Sequence, residues 1–494
     1  MAQHDRPLVT VRRAVVAVVA LGVAVLMPAQ PVQAATIVVN GFNDEFDLVS
    51  SCTLREAVRA ANDNTVHSGC VAGSPGSDTI QLPAGTHTLS HEGDSDDASA
   101  GDLDITEDVS IVGAGAATTT IMWGSSVADP DRVFDVEAAG TDLTLSGVTI
   151  RDGDTDELGA EGGGIRTAAD TGLTITDAVL TSNSAFRGGG VQNGGTGTFT
   201  RVTIAENDGG IGGGGIRNYG TLTLIDVSLR GNMTPDERGG GIENTGTLFV
   251  ERSTISGNEV DGDNGSGGGV ANEGTATLTN VTVTGNSVVE DGGGVFAIGG
   301  TTTLNNVTVA GNTADRDTVD GGDGGGIAVA GGATVNMRNT IVAGNTDDTG
   351  EAPDCSGTLT SQGHNLVQNV AGCGGLGAAG DLTGLDPMLG SLADNGGPTQ
   401  TQALLAGSPA INAGGPDCAP TDQRGLGRNC DIGAYERVLC QSVPVNHVGT
   451  EDADALTGTA GPDGIEALGG KDVVLGLGGR DGLCLGPGRD RGKG

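Results

Sequence analysis

The sequence predicts an all-β solenoid, a parallel β-helix, on three observations. Of 494 residues, 91 are glycine and only 2% are aromatic, too little bulk to fill an ordinary layered core. Glycine triplets begin at residues 162, 188, 213, 239, 267, 292 and 324, the recurrence expected of stacked solenoid turns. Each copy closes on an asparagine: Asn183, Asn207, Asn232, Asn258, Asn286, Asn312 and Asn345.

Within a copy the period is that of a strand. In residues 221–229, TLTLIDVSL, apolar and polar side chains alternate with one phase break, which makes two short strands joined by a bend. Leu222, Leu224, Val227 and Leu229 then face inward. Threonine, valine and isoleucine favour strands, whereas glycine at this frequency unravels helices. Stacked rungs lie about 4.8 Å apart, so one asparagine per rung can bond to those above and below as a ladder. Asparagine also tolerates the left-handed backbone of a sharp corner. A second column, Asn193, Asn218, Asn244 and Asn272, follows the triplets. Both columns read as structural.

The flanks have other patterns. Residues 1–34 have the layout of a secretory signal: Arg6, Arg12 and Arg13, then an apolar run from Ala14 to Met27, then Val32-Gln33-Ala34. That run is short for a membrane span, and nothing later resembles a transmembrane helix. Removing the segment moves the formal charge from −39 to −41. So acidic a surface excludes nucleic acid, which needs a basic footprint, and favours divalent cations. Eight cysteines, Cys52, Cys70, Cys355, Cys373, Cys418, Cys430, Cys440 and Cys484, lie in the exported part, where an even count favours disulfides. Sequential pairing is the simplest of the many connectivities. A short helix is expected from Leu54 to Ala61 as a cap, because an open coil end exposes strand edges.

These flanks carry a resemblance. CTLREAVRA, residues 52–60, resembles the CSLREA domain that opens secreted bacterial β-helix proteins. DPMLGSLADNGGPTQTQALLAGSPAINAG and DQRGLGRNCDIGAYE, within residues 386–436, are similar to the choice-of-anchor module that often closes them. The resemblance implies a right-handed coil exposed outside the cell, and no particular reaction. The division that follows is a signal at 1–34, a cap and irregular first rungs at 35–160, regular rungs at 161–350, the closing module at 351–440 and a distinct repeat at 445–494.

In that last segment Asp454, Asp463, Asp472, Asp481 and Asp490 recur every nine residues. Glycines stand two before each of the last four, and Leu456, Ile465, Val474 and Leu483 two after each of the first four. The pattern resembles the RTX nonapeptide, which implies a β-roll binding calcium. Nine residues make half a turn, so aspartates eighteen apart share a side, and calcium takes carboxylate and carbonyl oxygens together. Ala467-Leu468 and Leu485-Gly486 stand where glycine pairs are expected. A second acidic set, Asp261, Asp263, Asp315, Asp317, Asp320 and Asp323, reads as a solvated edge of the coil.

Chemistry-bearing residues are sparse. Lysine occurs only at 471 and 493, no histidine falls within the seven rungs, and Trp123 is the only tryptophan. The outward column after each triplet is Arg166, Gln192, Arg217, Glu243, Ala271, Phe296 and Ala328. Arg217 and Glu243 are expected one rung apart, within pairing distance. Arg166 or Arg217 beside Asp226 or Glu243 is the best base-and-acid set available; a hydrolase wants two carboxylates at a defined separation, and the spacing of Glu243 and Glu251 does not place them so. The reading that follows is a secreted or surface-exposed, calcium-binding scaffold that is adhesive or binds glycans. The alternative is a pectate-lyase-like polysaccharide lyase or glycoside hydrolase.

Overall fold

The computed structural model describes residues 34–44, 51–93, 95, 97–124, 131–155, 159–263, 265–316, 322–427 and 429–494. The expected signal, apart from Ala34, lies outside these residues, as do Asp317 and Asp320.

The chain coils into a parallel β-helix. One rung contains the strands Ile216–Asn218, Thr221–Ile225, Ser228–Arg230 and Met233–Thr234. Each pairs in parallel with its counterpart one turn on, so Ile216 meets Ile242, Thr221 meets Thr247, Ser228 meets Thr254 and Met233 meets Glu259. Leu222, Leu224, Val227 and Leu229 are all buried and belong to one core that runs the length of the coil. The phase break is a corner: Asp226 adopts φ 57°, and the same column holds Arg201, Arg252, Asn280 and Asn306 at φ 47–55°. A single left-handed residue turns the chain and resets which side chains point inward.

The asparagine ladder is continuous. Asn207 Nδ2 donates to Asn232 Oδ1, Asn232 to Asn258, and Asn258 to Asn286, each at 2.9 Å. Each Oδ1 also accepts the backbone N–H of the asparagine one rung earlier. The run ends on Asp354, whose Oδ1 accepts from Asn345 at 2.9 Å, as an end position with no further acceptor to serve allows. The left-handed corner does not fall on the asparagine, contrary to expectation. It falls one residue earlier, on Gly231, Gly257, Gly285, Gly311 and Gly344, which leaves the asparagine side chain free to point inward. The second column also forms: Asn193, Asn218 and Asn244 each donate to the next at 2.6–2.8 Å, and Asn272 closes it on Thr302 Oγ1.

Both ends are built around buried arginines. Helix Leu54–Asp63 starts from a Thr53–Glu56 capping box. Its Arg55 pairs with Asp44 at 2.9 Å and donates to the carbonyls of Ala98, Gly101 and Asp102, pinning a loop over the first rungs. At the other end the coil runs past residue 350, because Cys355–Thr358, Leu366–Val367 and Leu382–Thr383 add strands to the same sheets. Later residues fold back onto the side of the coil. Thr399 Oγ1 donates to Arg252 O, Thr282 Oγ1 to Gln423 Oε1, and the N–H groups of Ala434 and Ala419 to Thr308 Oγ1 and Asn306 Oδ1. Arg424 anchors this segment, pairing with Asp422, stacking on Tyr435 and donating to three carbonyls.

The cysteines pair in sequence order, 52–70, 355–373, 418–430 and 440–484. The last bridge ties a two-sheet roll to its base. In that roll Val443–Val448, Gly464–Glu466 and Gly482–Cys484 form one sheet, and Ala455–Thr457, Val473–Leu475 and Arg491–Lys493 the other. Among the described residues no helix is long and apolar enough to cross a membrane.

Candidate functional site

The strands Ile165–Thr167, Val191–Asn193, Ile216–Asn218 and Ile242–Asn244 send their middle residue outward. Their register stacks Arg166, Gln192, Arg217 and Glu243 one above another. The column continues to Ala271, Phe296 and Ala328 on one side. On the other it reaches Asp135 and then Asp104.

Arg217 and Glu243 meet, as their spacing predicts, with Nε 3.0 Å from Oε2. The approach is too bent for a hydrogen bond, so both atoms are buried without a hydrogen-bond partner. Arg217 Nη1 donates to Glu161 Oε1 at 2.9 Å, and its guanidinium lies over the Tyr219 ring at 4.3 Å. Tyr219 donates its hydroxyl to the same Glu161 oxygen. Burial pushes the Tyr219 phenol up to about 12. Burial also raises the Glu243 carboxyl, with Arg217 opposing.

The other predicted partners lie elsewhere. Asp226 sits at the bend and accepts from Arg252 Nε at 2.8 Å, and Glu251 accepts from the same arginine. Neither joins Arg217, because the turns after Asn218 and Asn244 carry the chain onto a different sheet. Arg166 instead donates to Asp135 Oδ2 at 2.5 Å and Glu137 Oε1 at 2.6 Å. Burial works against its charge, but Asp135 and Glu137 outweigh it and hold its pKa above the ordinary arginine value. A guanidinium so held donates hydrogen bonds; it does not take up a proton.

Sequence reasoning missed the end of this column. Asp102, Asp104 and Asp135 are all at least nine-tenths buried, with Arg132 Nη1 2.5 Å from Asp135 and 3.2 Å from Asp102. The signal was legible in LDI and FDV, residues 103–105 and 134–136, which align with IRT, VQN, IRN and IEN in the later rungs. Burial raises the pKa of Asp102 and of Asp104. Arg132 does not cancel the rise at Asp102, since it is shared with Asp135 at the shorter distance. The fold therefore holds protons that the unfolded chain, with aspartate pKa near ~4, releases. This stability is complete below that value and is lost as pH rises through the raised values. An Asp102→Asn chain, which fixes the neutral form, is expected to gain stability over the parent at alkaline pH and little near pH ~4. Equal shifts of the urea midpoint at both ends would defeat that expectation.

In the roll, aspartates eighteen apart do share a side. Asp454 N donates to Asp472 Oδ1, Asp472 N to Asp490 Oδ1 and Asp463 N to Asp481 Oδ1, at 2.9–3.1 Å. Asp472 is 1% exposed, and its Oδ2 is buried with no hydrogen-bond partner, the sort of oxygen a cation satisfies. The backbone keeps its turns despite the missing glycines: Leu468 and Leu477 take φ 63° and 69°, a cost of roughly 1 kcal/mol each for a side chain with a Cβ. Among the described residues no three acidic, histidine or cysteine side chains converge in a metal-holding set, so aspartate pairs and turn carbonyls are the oxygens on offer. The second acidic set is not uniformly solvated, contrary to expectation. Asp261 pairs with Arg316, Asp323 Oδ2 accepts from Ser356, and Asp315 is 1% exposed, because the coil stacks its backbone on Glu290.

Residues 135–314 match the family described as right handed beta helix region. The parallel coil is thus right-handed, and the predicted fold class is the one this chain adopts. A crystal structure of pectate lyase Pel9A aligns over 73% of this chain and 88% of that one, at 17% identity and a TM-score of 0.42. No curated protein matches the chain.

Proposed function

We propose that this chain is an exported, surface-exposed scaffold that holds an extended polysaccharide along the charged column, with calcium ordering its C-terminal roll. One observation carries the binding half. Asp135 Oδ1 and Gln192 Oε1 are buried on one column with no hydrogen-bond partner, and Arg217 Nε and Glu243 Oε2, ion-paired with each other at 3.0 Å, make no hydrogen bond either. Unmet donors and acceptors at rung spacing cost free energy. Sugar hydroxyls, each both donor and acceptor, offset that cost at successive rungs, and the Tyr219 ring offers an apolar edge.

Export is supported by four disulfides, which persist in oxidising compartments. For calcium, Asp454, Asp472 and Asp490 would hold ions on one side of the roll, and Asp463 and Asp481 on the other. Bound calcium supplies the positive charge that lets stacked carboxylates coexist. The buried Asp472 oxygen supports this assignment.

The lyase or hydrolase alternative draws on the raised Asp102 and Asp104 carboxyls, since a general acid must keep its proton. Asp102 is clamped by Arg132 at 3.2 Å and Asp104 Oδ2 accepts from Ala98 N at 2.9 Å, so neither carboxyl is free to deliver its proton.

Affinity electrophoresis of the full chain through gels containing neutral, acidic or amine-bearing polysaccharides tests the binding half. Retardation in at least one gel is expected, weakened about tenfold by Arg217→Ala, the worth of one charge-assisted hydrogen bond. No retardation in any gel would sink this half. Product release that Arg217→Ala abolishes would transfer the site to the enzymatic reading. Calorimetry tests the roll separately: the parent takes up calcium and Asp472→Asn takes up less, whereas no uptake by the parent removes calcium from the proposal.

A further inference from the structure

One face of the coil differs from everything around it. In the strand before each bend, every second side chain points outward. The strands beginning at Thr196, Thr221, Thr275 and Thr301 each present Thr-x-Thr there. The strand between them, Thr247–Glu251, presents Thr247 and Phe249. Pairing is in register throughout, Thr196 to Thr221 to Thr247 to Thr275 to Thr301, with the second outward residue of each strand aligned beside it. These side chains are exposed or half-buried.

The result is a two-dimensional lattice of hydroxyl and methyl groups, interrupted at its middle rung by the Phe249 ring. It steps about 4.8 Å from rung to rung and about 6.6–6.8 Å along each strand. A β-branched side chain has restricted χ1 freedom, and the two asparagine ladders hold the rungs below, so the array is rigid. It is also uncharged. The chain as a whole carries −39, yet these two columns contain no ionisable side chain from Thr196 to Thr303. The segment that folds back onto the coil leaves them open, since its bonds fall at the bend, on Arg252, Asn280 and Asn306, or beyond it, on Thr254, Thr282 and Thr308.

We propose that this threonine face binds ice. Each hydroxyl fixes one water and each methyl fences its neighbour, so a rigid lattice of such pairs imposes its own repeats on the first water layer. Those repeats, in both directions, are close to the oxygen repeats on the prism faces of hexagonal ice. A water layer ordered in this way joins the crystal with little further rearrangement, whereas liquid water offers no matching lattice. A crystalline polysaccharide is the poorer fit. Sugar rings are gripped by aromatic platforms and converging charged groups, and the two columns supply only Phe249.

The test uses the full chain, viewed by nanolitre osmometry. The parent is expected to shape growing ice into facets and to open a gap between melting and freezing temperatures. Thr277→Tyr, on the rung next to Phe249, and separately Thr198→Tyr, on the first rung, each add a further ring to the lattice and are expected to remove more than half of that gap. Arg230→Tyr, on another face, leaves it unchanged. Chelation leaves it unchanged too, which separates this face from the roll. Circular dichroism confirms that each variant keeps its strands. Rounded, unfaceted crystals with the parent would overturn the proposal, as would a gap that both folded threonine variants retain. Retention on crystalline cellulose or chitin, lost in Thr277→Tyr and without any freezing gap, would assign the face to a sugar lattice and overturn it equally.

Discussion

Replacing Asn258 with alanine is expected to lower the unfolding free energy by about 3 kcal/mol, the cost of orphaning two or three buried polar groups. Its Oδ1 accepts both the backbone N–H and the Nδ2 of Asn232, at 3.0 and 2.9 Å, while its own Nδ2 donates to Leu229 O and to Asn286 Oδ1. None of these groups can reach water, because the asparagine is fully buried. Alanine restores neither donor nor acceptor. Urea denaturation measures the change, and a loss below ~1 kcal/mol would mean that the ladder is ornamental.

The second large effect concerns a glycine that looks dispensable. Gly214 has an ordinary backbone conformation, but a Cβ there would overlap the carbonyl oxygens of Met233 and Gly240, the latter on the next rung. Gly214→Ala must push rungs apart, at about 3 kcal/mol or more. Gly231 is the contrasting case. Its φ is 62°, and an added Cβ would meet nothing closer than 3.9 Å, so Gly231→Ala carries only the left-handed penalty of roughly 1–2 kcal/mol. Melting curves of the two variants are expected to fall in that order, and the reverse order would refute the close-approach argument.

These glycines show how much was legible in the chain itself. Triplet spacing, the alternation in TLTLIDVSL and the recurring asparagine were enough for the coil and its ladder, because a solenoid repeats one local solution and the repeat is visible as text. The meeting of Arg217 with Glu243 was legible for the same reason. Asp226 was misplaced because the turn at Tyr219-Gly220 carries the chain from the sheet of Ile216–Asn218 to another before Asp226 is reached, and the left-handed bend it forms has no unique residue code: aspartate, arginine and asparagine all occupy that column. Asp104 and Asp135 were missed because the first rungs lack the glycine triplets that mark the register, although their strands stack on the later ones.

What the sequence determined alone is everything periodic: the strands, the inward columns, the rung spacing and the nine-residue roll. Only the tertiary structure decided what the three faces of the coil present. One carries charged groups clamped in pairs, one is covered by the returning segment, and one is left as an open threonine lattice. The reason is physical. Periodicity fixes which residues share a column. Which columns are covered, neutralised or left bare depends on residues such as Gln423 and Ala434, more than one hundred residues away from the threonines they meet.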